Sequence, residues 1–365
     1  MKLLFWISLL LTVYAYVGYA LWLSFYARLR RRPIRRSHIT PDVSIVIAAR
    51  NEELNLPAKL DNLRQLDYPR EKLQIVIASD GSDDSTAGIL DANRTEVCAI
   101  ILDHSRGKAC ALNAAVKQAT GEILVFLDMR QMVEPNAVSE LVSCFADPSV
   151  GAASGELLLE SGGADGLGIY WKIEKMVRKL ESASGSVVGV TGCIYAMRRE
   201  FYREIPTGTL LDDVFVPMQV ARLGKRIVFE PRAIARDRVF SAKGKEFARK
   251  VRTLTGNYQL LKLQPWLLSV HNPLLFRFIS HKLMRLFVPF FLAAMLVSSA
   301  LCAEAFYHAL FWMQIAFYAL ALLGNLSVSF RNFKPVAIAN TFTMLNAAAA
   351  VAFYNFVTGR DAAWG

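Results

Sequence analysis

The chain has 365 residues, 54% of them hydrophobic, with a formal charge of +11 and five cysteines. That is too long and too apolar for one small soluble domain. No zinc-finger or RNA-binding signature accompanies the basic charge, which argues against a nucleic-acid partner. The cysteines, at 98, 110, 144, 193 and 302, are odd in number and form no CxxC pair, the pattern of reduced cytosolic thiols.

Residues 1–27 read as a membrane anchor. Leu3 to Ala27 carries no charge and is long enough for a hydrocarbon core of about 30 Å, which needs roughly 20 residues. A cleaved signal peptide would want a basic start, a shorter apolar run and a small-residue cleavage site. Here only Lys2 precedes the run, while Arg28, Arg30, Arg31, Arg32, Arg35 and Arg36 follow it in a basic linker, 28–42. By the positive-inside rule the amino terminus lies outside a plasma (inner) membrane and the region after the collar is cytoplasmic. Basic clusters so placed are drawn to the anionic lipid of the bilayer.

From 43 to 260 the pattern changes to strands alternating with helices. Val43 to Ala48 is a buried strand, followed by ARNEE and a helical run from Leu56 to Leu66. Leu73 to Ala78 is the next strand and ends in SDGSDDST; a helix over 84–92 leads to the strand Val97 to Leu102. A Gly107-Lys108 turn opens a helix to Ala119, and the strand Ile123 to Leu127 ends in Asp128-Met129-Arg130. Such alternation predicts a mostly parallel sheet with right-handed crossovers. Further on, a helix from Glu134 to Phe145 precedes a strand over 150–156. An amphipathic helix over 170–180 follows, then an apolar run over 187–197 broken by Thr191-Gly192-Cys193. The domain closes with the acidic pair Asp212-Asp213, a last strand over 226–230 and a basic stretch, 243–252. Residues 261–285 mix Trp266, Phe276 and Phe278 with Arg277, His281, Lys282 and Arg285, a composition for helices lying at the membrane interface. Three further spans occupy 286–359: Leu286 to Ala303, Ala305 to Phe330 and Pro335 to Gly359. Their loops agree with the orientation, with Arg331 and Lys334 inside and Glu304 outside.

Strand ends converge on one edge of a parallel sheet, where ligands bind. The tips of the first, second and fourth strands carry Asn51 with Glu52, Asp80 with Gly81, and Asp128. Carboxylates there can accept hydrogen bonds from a base or a ribose, and Gly81 permits close backbone approach. Gly107-Lys108 at a helix start offers backbone N–H groups, a positive dipole end and a cation, all suited to a diphosphate. It is neither a Walker sequence nor a dinucleotide fingerprint.

Together and in this order, these residues resemble the family 2 glycosyltransferases of the GT-A fold over residues 43–256. The resemblance rests on Asn51-Glu52, Asp80-Gly81-Ser82, GKACALN from Gly107 to Asn113, ATGEILVFLD ending at Asp128, and Asp212-Asp213-Val214. With spans on both sides, the layout is similar to the membrane-embedded polysaccharide-synthase branch. The implied fold is α/β: a nucleotide-binding GT-A domain with a mostly parallel sheet, flanked by amino- and carboxy-terminal transmembrane helices.

The resemblance implies a nucleotide-diphosphate sugar donor, most commonly a UDP-sugar, and inversion at the anomeric carbon. The acceptor it implies is a lipid-linked glycan or a growing polysaccharide. It assigns donor contacts to Ala48, Asn51, Glu52, Asp80, Gly81, Gly107, Lys108, Asn113, Asp128, Arg130, Arg249 and Arg252. Gly192 and Cys193 are assigned to the acceptor, and Asp213, with Asp212 beside it, to the catalytic base. Asp128 is the implied ligand of Mg²⁺ or Mn²⁺. Two departures bear on this. The family usually has Asp-x-Asp where this chain has Asp128-Met129-Arg130, so Arg130 is expected to fork onto phosphate in place of a second metal carboxylate. Processive members usually show Gln-x-x-Arg-Trp, where this chain has Arg249-Lys250-Val251-Arg252-Thr253. The alternatives are therefore a single-step transferase onto a membrane lipid and an inactive membrane scaffold.

Overall fold

Alternation along the strands sets the layers of the fold. The computed structural model describes residues 1–159, 166–237, 243–326 and 333–359. It begins with α1 (Lys2–Leu29), a continuous helix with one π-turn at Tyr14–Gly18. Then β1 (Val43–Ala49) turns Val43, Ile45 and Ile47 to one face and Val46 and Ala48 to the other, the period of two of a pleated strand. β2 (Leu73–Asp80), β3 (Cys98–Leu102) and β4 (Ile123–Leu127) follow the same alternation. The first face is covered by α2 (Leu56–Arg64), with α3 (Thr86–Ala92) beside it. The second is covered by α4 (Lys108–Gln118).

Beyond β4 come β5 (Met132–Val133), α5 (Ala137–Ser143), β6 (Val150–Leu159), α6 (Gly166–Ala183), β7 (Ile194–Arg198), α7 (Asp212–Arg222) and β8 (Arg226–Asp237). The eight strands form one sheet in the order β3-β2-β1-β4-β7-β6-β8-β5. The sheet is parallel through β3, β2, β1 and β4, then turns antiparallel at β7. β6 pairs antiparallel with β7 and parallel with β8. This mixed half-barrel is the GT-A architecture. β8 runs seven residues beyond the 226–230 expected from sequence, because Pro231 does not end it. The β6–β8 register slips between Ser154 and Glu156 beside that proline, and a bulge tolerates a residue with no N–H to give the ladder. The extension carries Asp237 to the sheet edge.

Among the described residues four helices are long and apolar enough to cross a membrane: α1, Leu275–Ala300, Ala305–Leu326 and Lys334–Thr358. The last three are α9, α10 and α11, after α8 (Lys243–Leu263). Large apolar side chains such as Leu10, Leu21, Trp312 and Met313 point outward from them, as they do on helices surrounded by lipid. Polar contacts join them inside: Trp6 Nε1 donates to Tyr307 Oη at 3.1 Å, and Asn346 Nδ2 to Tyr16 Oη at 3.0 Å. Lys334 opens α11, while Arg331 lies outside the described residues.

The stretch 261–285 is divided differently from the expectation. α8 runs on to Leu263, and from Leu275 the chain is already the helix that becomes the first carboxy-terminal span. Its first turns are docked into the sheet domain. Arg277 is buried and donates to the carbonyls of Glu181, Ser184 and Ser186 and to Ser184 Oγ, all between 2.6 and 3.0 Å. A guanidinium can leave water here because acceptors meet its N–H groups. The same helix places His281 between Glu174 (2.9 Å) and Glu181 (3.0 Å), and Tyr19 of α1 donates to Glu181 at 2.6 Å. Membrane helices and sheet domain therefore share a buried polar layer.

Candidate active site

The first two strand-end loops are laced together before any ligand is considered. Asn51 takes a left-handed conformation (φ +53°) that aims its backbone N–H at Ser82 Oγ and its Oδ1 at the Asp83 N–H. The Glu52 N–H donates to Thr86 Oγ1, and Glu52 accepts from Asn55 Nδ2 at 2.6 Å. Burial pushes the Glu52 carboxyl above its ordinary range. Ala48 pairs in register with Ala78 one strand over, which lines the floor with small residues.

Asp80 is completely buried. It accepts the N–H groups of Arg106 and Gly107 and the hydroxyl of Ser105, each at 2.8 Å. The expected direct donor contact is thus taken up inside the protein: Asp80 organises the loop that starts α4. Gly81 completes this joint. At φ +57° an added Cβ would lie 2.2 Å from the Ser105 nitrogen. Asn113 is likewise engaged, accepting from Tyr202 Oη (2.6 Å) and the Ile205 N–H (2.9 Å) and donating to the Ile205 carbonyl. It braces the segment leading to the acidic pair.

Lys108, at the first position of α4, is where the halves of the site meet. Its Nζ lies 3.0 Å from Asp128 Oδ1 at the end of β4 and 3.4 Å from Asp212 Oδ2 at the start of α7. Burial presses the ammonium toward neutrality, but Asp128 and Asp212 outweigh it and hold the group above its ordinary range. Next to Asp212, Asp213 is half-buried, and burial first and the Asp212 charge second push its carboxyl up to about 6. Lys282, Lys108 and Arg178 pull the other way. Gly192 leaves room for this carboxylate, since an added Cβ would lie 3.3 Å from Asp213 Oδ2. Cys193 is buried behind it, its carbonyl facing the Asp128 N–H at 3.4 Å. α8 packs against the acidic turn, with Leu211 tight upon Gly256 and Gln259 accepting from the Leu210 N–H. Arg252, one turn before Gly256, is half-buried, whereas Arg249 pairs with Glu246 at 2.5 Å.

Arg130 departs from its expected role. Its guanidinium is paired with buried Asp237 at 2.5 Å, and Gln131 Nε2 donates to the same Oδ2 at 2.9 Å. Reaching a phosphate would first require breaking that pair. Beneath it Lys59, fully buried, donates to the Gln131 carbonyl at 2.6 Å, and burial pushes its amine down to about 8. Asp237 and Lys59 were not singled out from the sequence. Asp237 sat past an apparent strand stop; Lys59, among Leu56, Leu60 and Leu63 on one helical face, was a legible anomaly. Among the described residues no group of three or more His, Cys, Asp and Glu is placed to hold a metal ion. Asp128 is nevertheless a hard oxygen donor on a partly exposed side chain. Magnesium commonly keeps one or two protein carboxylates beside phosphate oxygens and water, so Asp128 fits such an ion where a diphosphate completes the shell.

The family model described as glycosyl transferase family 2 matches residues 44–206. Over that stretch the chain is similar to the family 2 glycosyltransferases. It is 25% identical over 263 residues to a poly-beta-1,6-N-acetyl-D-glucosamine synthase of Staphylococcus epidermidis, covering 66% of this chain and 62% of that one. To the synthase of the same name from Staphylococcus aureus it is 26% identical over 233 residues, 60% of this chain and 55% of that one. The match thus spans under two thirds of the length of those relatives. A solved mannosyltransferase from Pyrobaculum calidifontis, in complex with GDP-Man and Mn²⁺, has the same fold: TM-score 0.74 at 23% identity, covering 98% and 99% of the two chains. The chain thus shares its fold with a solved structure.

Replacing Asp80 by Asn turns an amide NH₂ toward one of the two N–H groups, that of Arg106 or that of Gly107. A buried donor left unpaired costs about 1–3 kcal/mol. The expected outcome is a lowered unfolding midpoint and at least about tenfold weaker nucleotide-sugar binding by calorimetry; unchanged binding would separate the loop from the donor site.

Proposed function

We propose that this protein is a membrane-bound, inverting transferase that moves a sugar from a nucleotide-diphosphate donor to a lipid-linked or growing glycan. The observation that carries the reading is Asp213, a carboxylate tuned to about 6 beside a cation that bridges Asp128 and Asp212. A base with a raised proton affinity takes a hydroxyl proton more readily than an ordinary carboxylate. The acceptor oxygen attacks the anomeric carbon, the bond from that carbon to the diphosphate breaks, and the hydroxyl proton passes to Asp213. Lys108, at a helix amino terminus, stabilises the departing diphosphate with its charge and the adjacent N–H groups. Relatives named for N-acetylglucosamine polymers favour a UDP-N-acetylhexosamine as the first donor to test.

Asp213→Asn is nearly isosteric and removes only the base. Transfer should fall by about 10² to 10⁴ while donor affinity stays within about threefold. In the wild type kcat/KM should rise with pH up to about 6 and level off above it, because the base works only when deprotonated. A variant within tenfold of wild type places the base elsewhere.

We assign Mg²⁺ or Mn²⁺ to Asp128. Bound there with the donor's phosphates, the ion would neutralise charge on the leaving group. Lys108 occupies Asp128 in the structure and must be drawn off onto phosphate. Mn²⁺ affinity, measured by titration calorimetry, should therefore be weak alone and at least about tenfold stronger with UDP present. Equal affinity in both conditions, or transfer indifferent to chelator, would remove the metal from Asp128.

The arginine collar after α1 supports an orientation with the amino terminus outside and the sheet domain in the cytoplasm of a plasma (inner) membrane. A cysteine introduced at Ser85 should resist impermeant thiol reagents in intact cells and react after permeabilisation. Labelling in intact cells would reverse the topology.

A further inference from the structure

The acceptor side of Asp213 has a feature that the transfer chemistry does not require. Lys282, on the third turn of α9, is half-buried and has no hydrogen-bond or ion-pair partner among the described residues. It lies within electrostatic reach of Asp213, Glu174, Arg178 and Arg285. Arg178, from α6, donates to Thr191 Oγ1 at 2.6 Å and stands 3.7 Å from Glu174; Arg285 pairs with Glu174 at 2.7 Å. Three cations from two elements therefore face Glu174, two of them (Lys282 and Arg178) also act on Asp213, and His281 contacts the same glutamate. His281 and Arg285 together hold the Glu174 carboxyl well below its ordinary range against burial. The arrangement gathers three half-buried cations on one side of Asp213. Cations out of bulk water gain from an anion that meets them.

The cluster also has a definite place along the chain. Lys282 and Arg285 sit where α9 leaves the sheet domain, and from Leu286 to Ala303 the chain carries no charge. A basic group at that boundary is level with lipid headgroups. We infer that Arg178, Lys282 and Arg285 bind the phosphate of an anionic lipid acceptor, holding a hydroxyl of its headgroup against Asp213. This inference rests on the transferase reading and names the acceptor class: a phosphate ester anchored in the bilayer that bears a free hydroxyl. That hydroxyl attacks the anomeric carbon, its proton goes to Asp213, and the nucleoside diphosphate leaves; the lipid phosphate keeps its bonds throughout. Lys282 supplies the point charge, while Arg178 and Arg285 supply planar forks suited to phosphate oxygens.

The test uses the full-length protein in phosphatidylcholine nanodiscs doped with phosphatidylglycerol, whose headgroup carries a phosphate and free hydroxyls. Bound lipid is measured by native mass spectrometry, and UDP binding by calorimetry in parallel. Wild type should retain phosphatidylglycerol over phosphatidylcholine. Lys282→Met and Arg178→Gln should each weaken that preference at least about tenfold, with UDP affinity unchanged, and Lys282→Arg should keep it. Retention unaffected by Lys282→Met overturns the proposal. So does inorganic phosphate or glycerol phosphate displacing the lipid at equal concentration, which would mark a site for a soluble phosphate. Because the readout is lipid binding, failure to bind UDP would count against the transferase reading and leave the lipid result to stand or fall separately.

Discussion

One ammonium joins two parts of this site that are far apart in sequence. Lys108 starts a helix behind the parallel half of the sheet, and its Nζ is shared between Asp128 at the end of β4 and Asp212 at the start of α7. Without a cation there, two carboxylates would face each other, and like charges raise each other's proton affinity. The Lys108 charge has to be held in position, which explains the effort around it. Buried Asp80 anchors the preceding loop by three hydrogen bonds, and Gly81 brings the strand end close enough for that grip. The proton affinity of Asp213 is set by the same group of charges, since Asp212 raises it and Lys108 lowers it.

A second constraint is how a soluble sheet and a set of apolar helices are fixed to each other. The joint is polar rather than greasy. Arg277 reaches into a ring of carbonyls, and Tyr19, Glu181, His281 and Glu174 form a connected line from α1 through α6 to α9. Buried polar groups contribute little net stability, but they penalise misaligned packings because each orphaned group loses its partner. The joint therefore fixes how the sheet domain sits on the apolar helices.

The Asp128-Met129-Arg130 sequence gains a physical context from β8. Two positions after Asp128 stands a cation, and a carboxylate from another strand, Asp237, meets it at 2.5 Å. The position of that carboxylate depends on a bulge that lets the strand continue past Pro231.

Much of this was legible from residues alone. Continuous apolar runs marked the buried strands, because a strand covered on both faces has no polar side to show. Uncharged stretches of membrane length marked the apolar helices, since the backbone must satisfy its own hydrogen bonds in lipid. The order of short motifs marked the family, and strand-end logic placed Asp128 and Lys108 at one sheet edge. What the sequence could not show is which polar groups meet. Asp80, expected at the donor, also anchors a loop, and Arg130, expected on phosphate, is held in an ion pair with Asp237. Lys282, expected in an interfacial helix, lies within electrostatic reach of Asp213. The reason is range: periodicity and turn chemistry act over a few residues, whereas the partners of a charged side chain are chosen among groups 20 to more than 100 positions away. Those pairings follow from how the sheet twists and how the helices dock, and only the folded chain decides them.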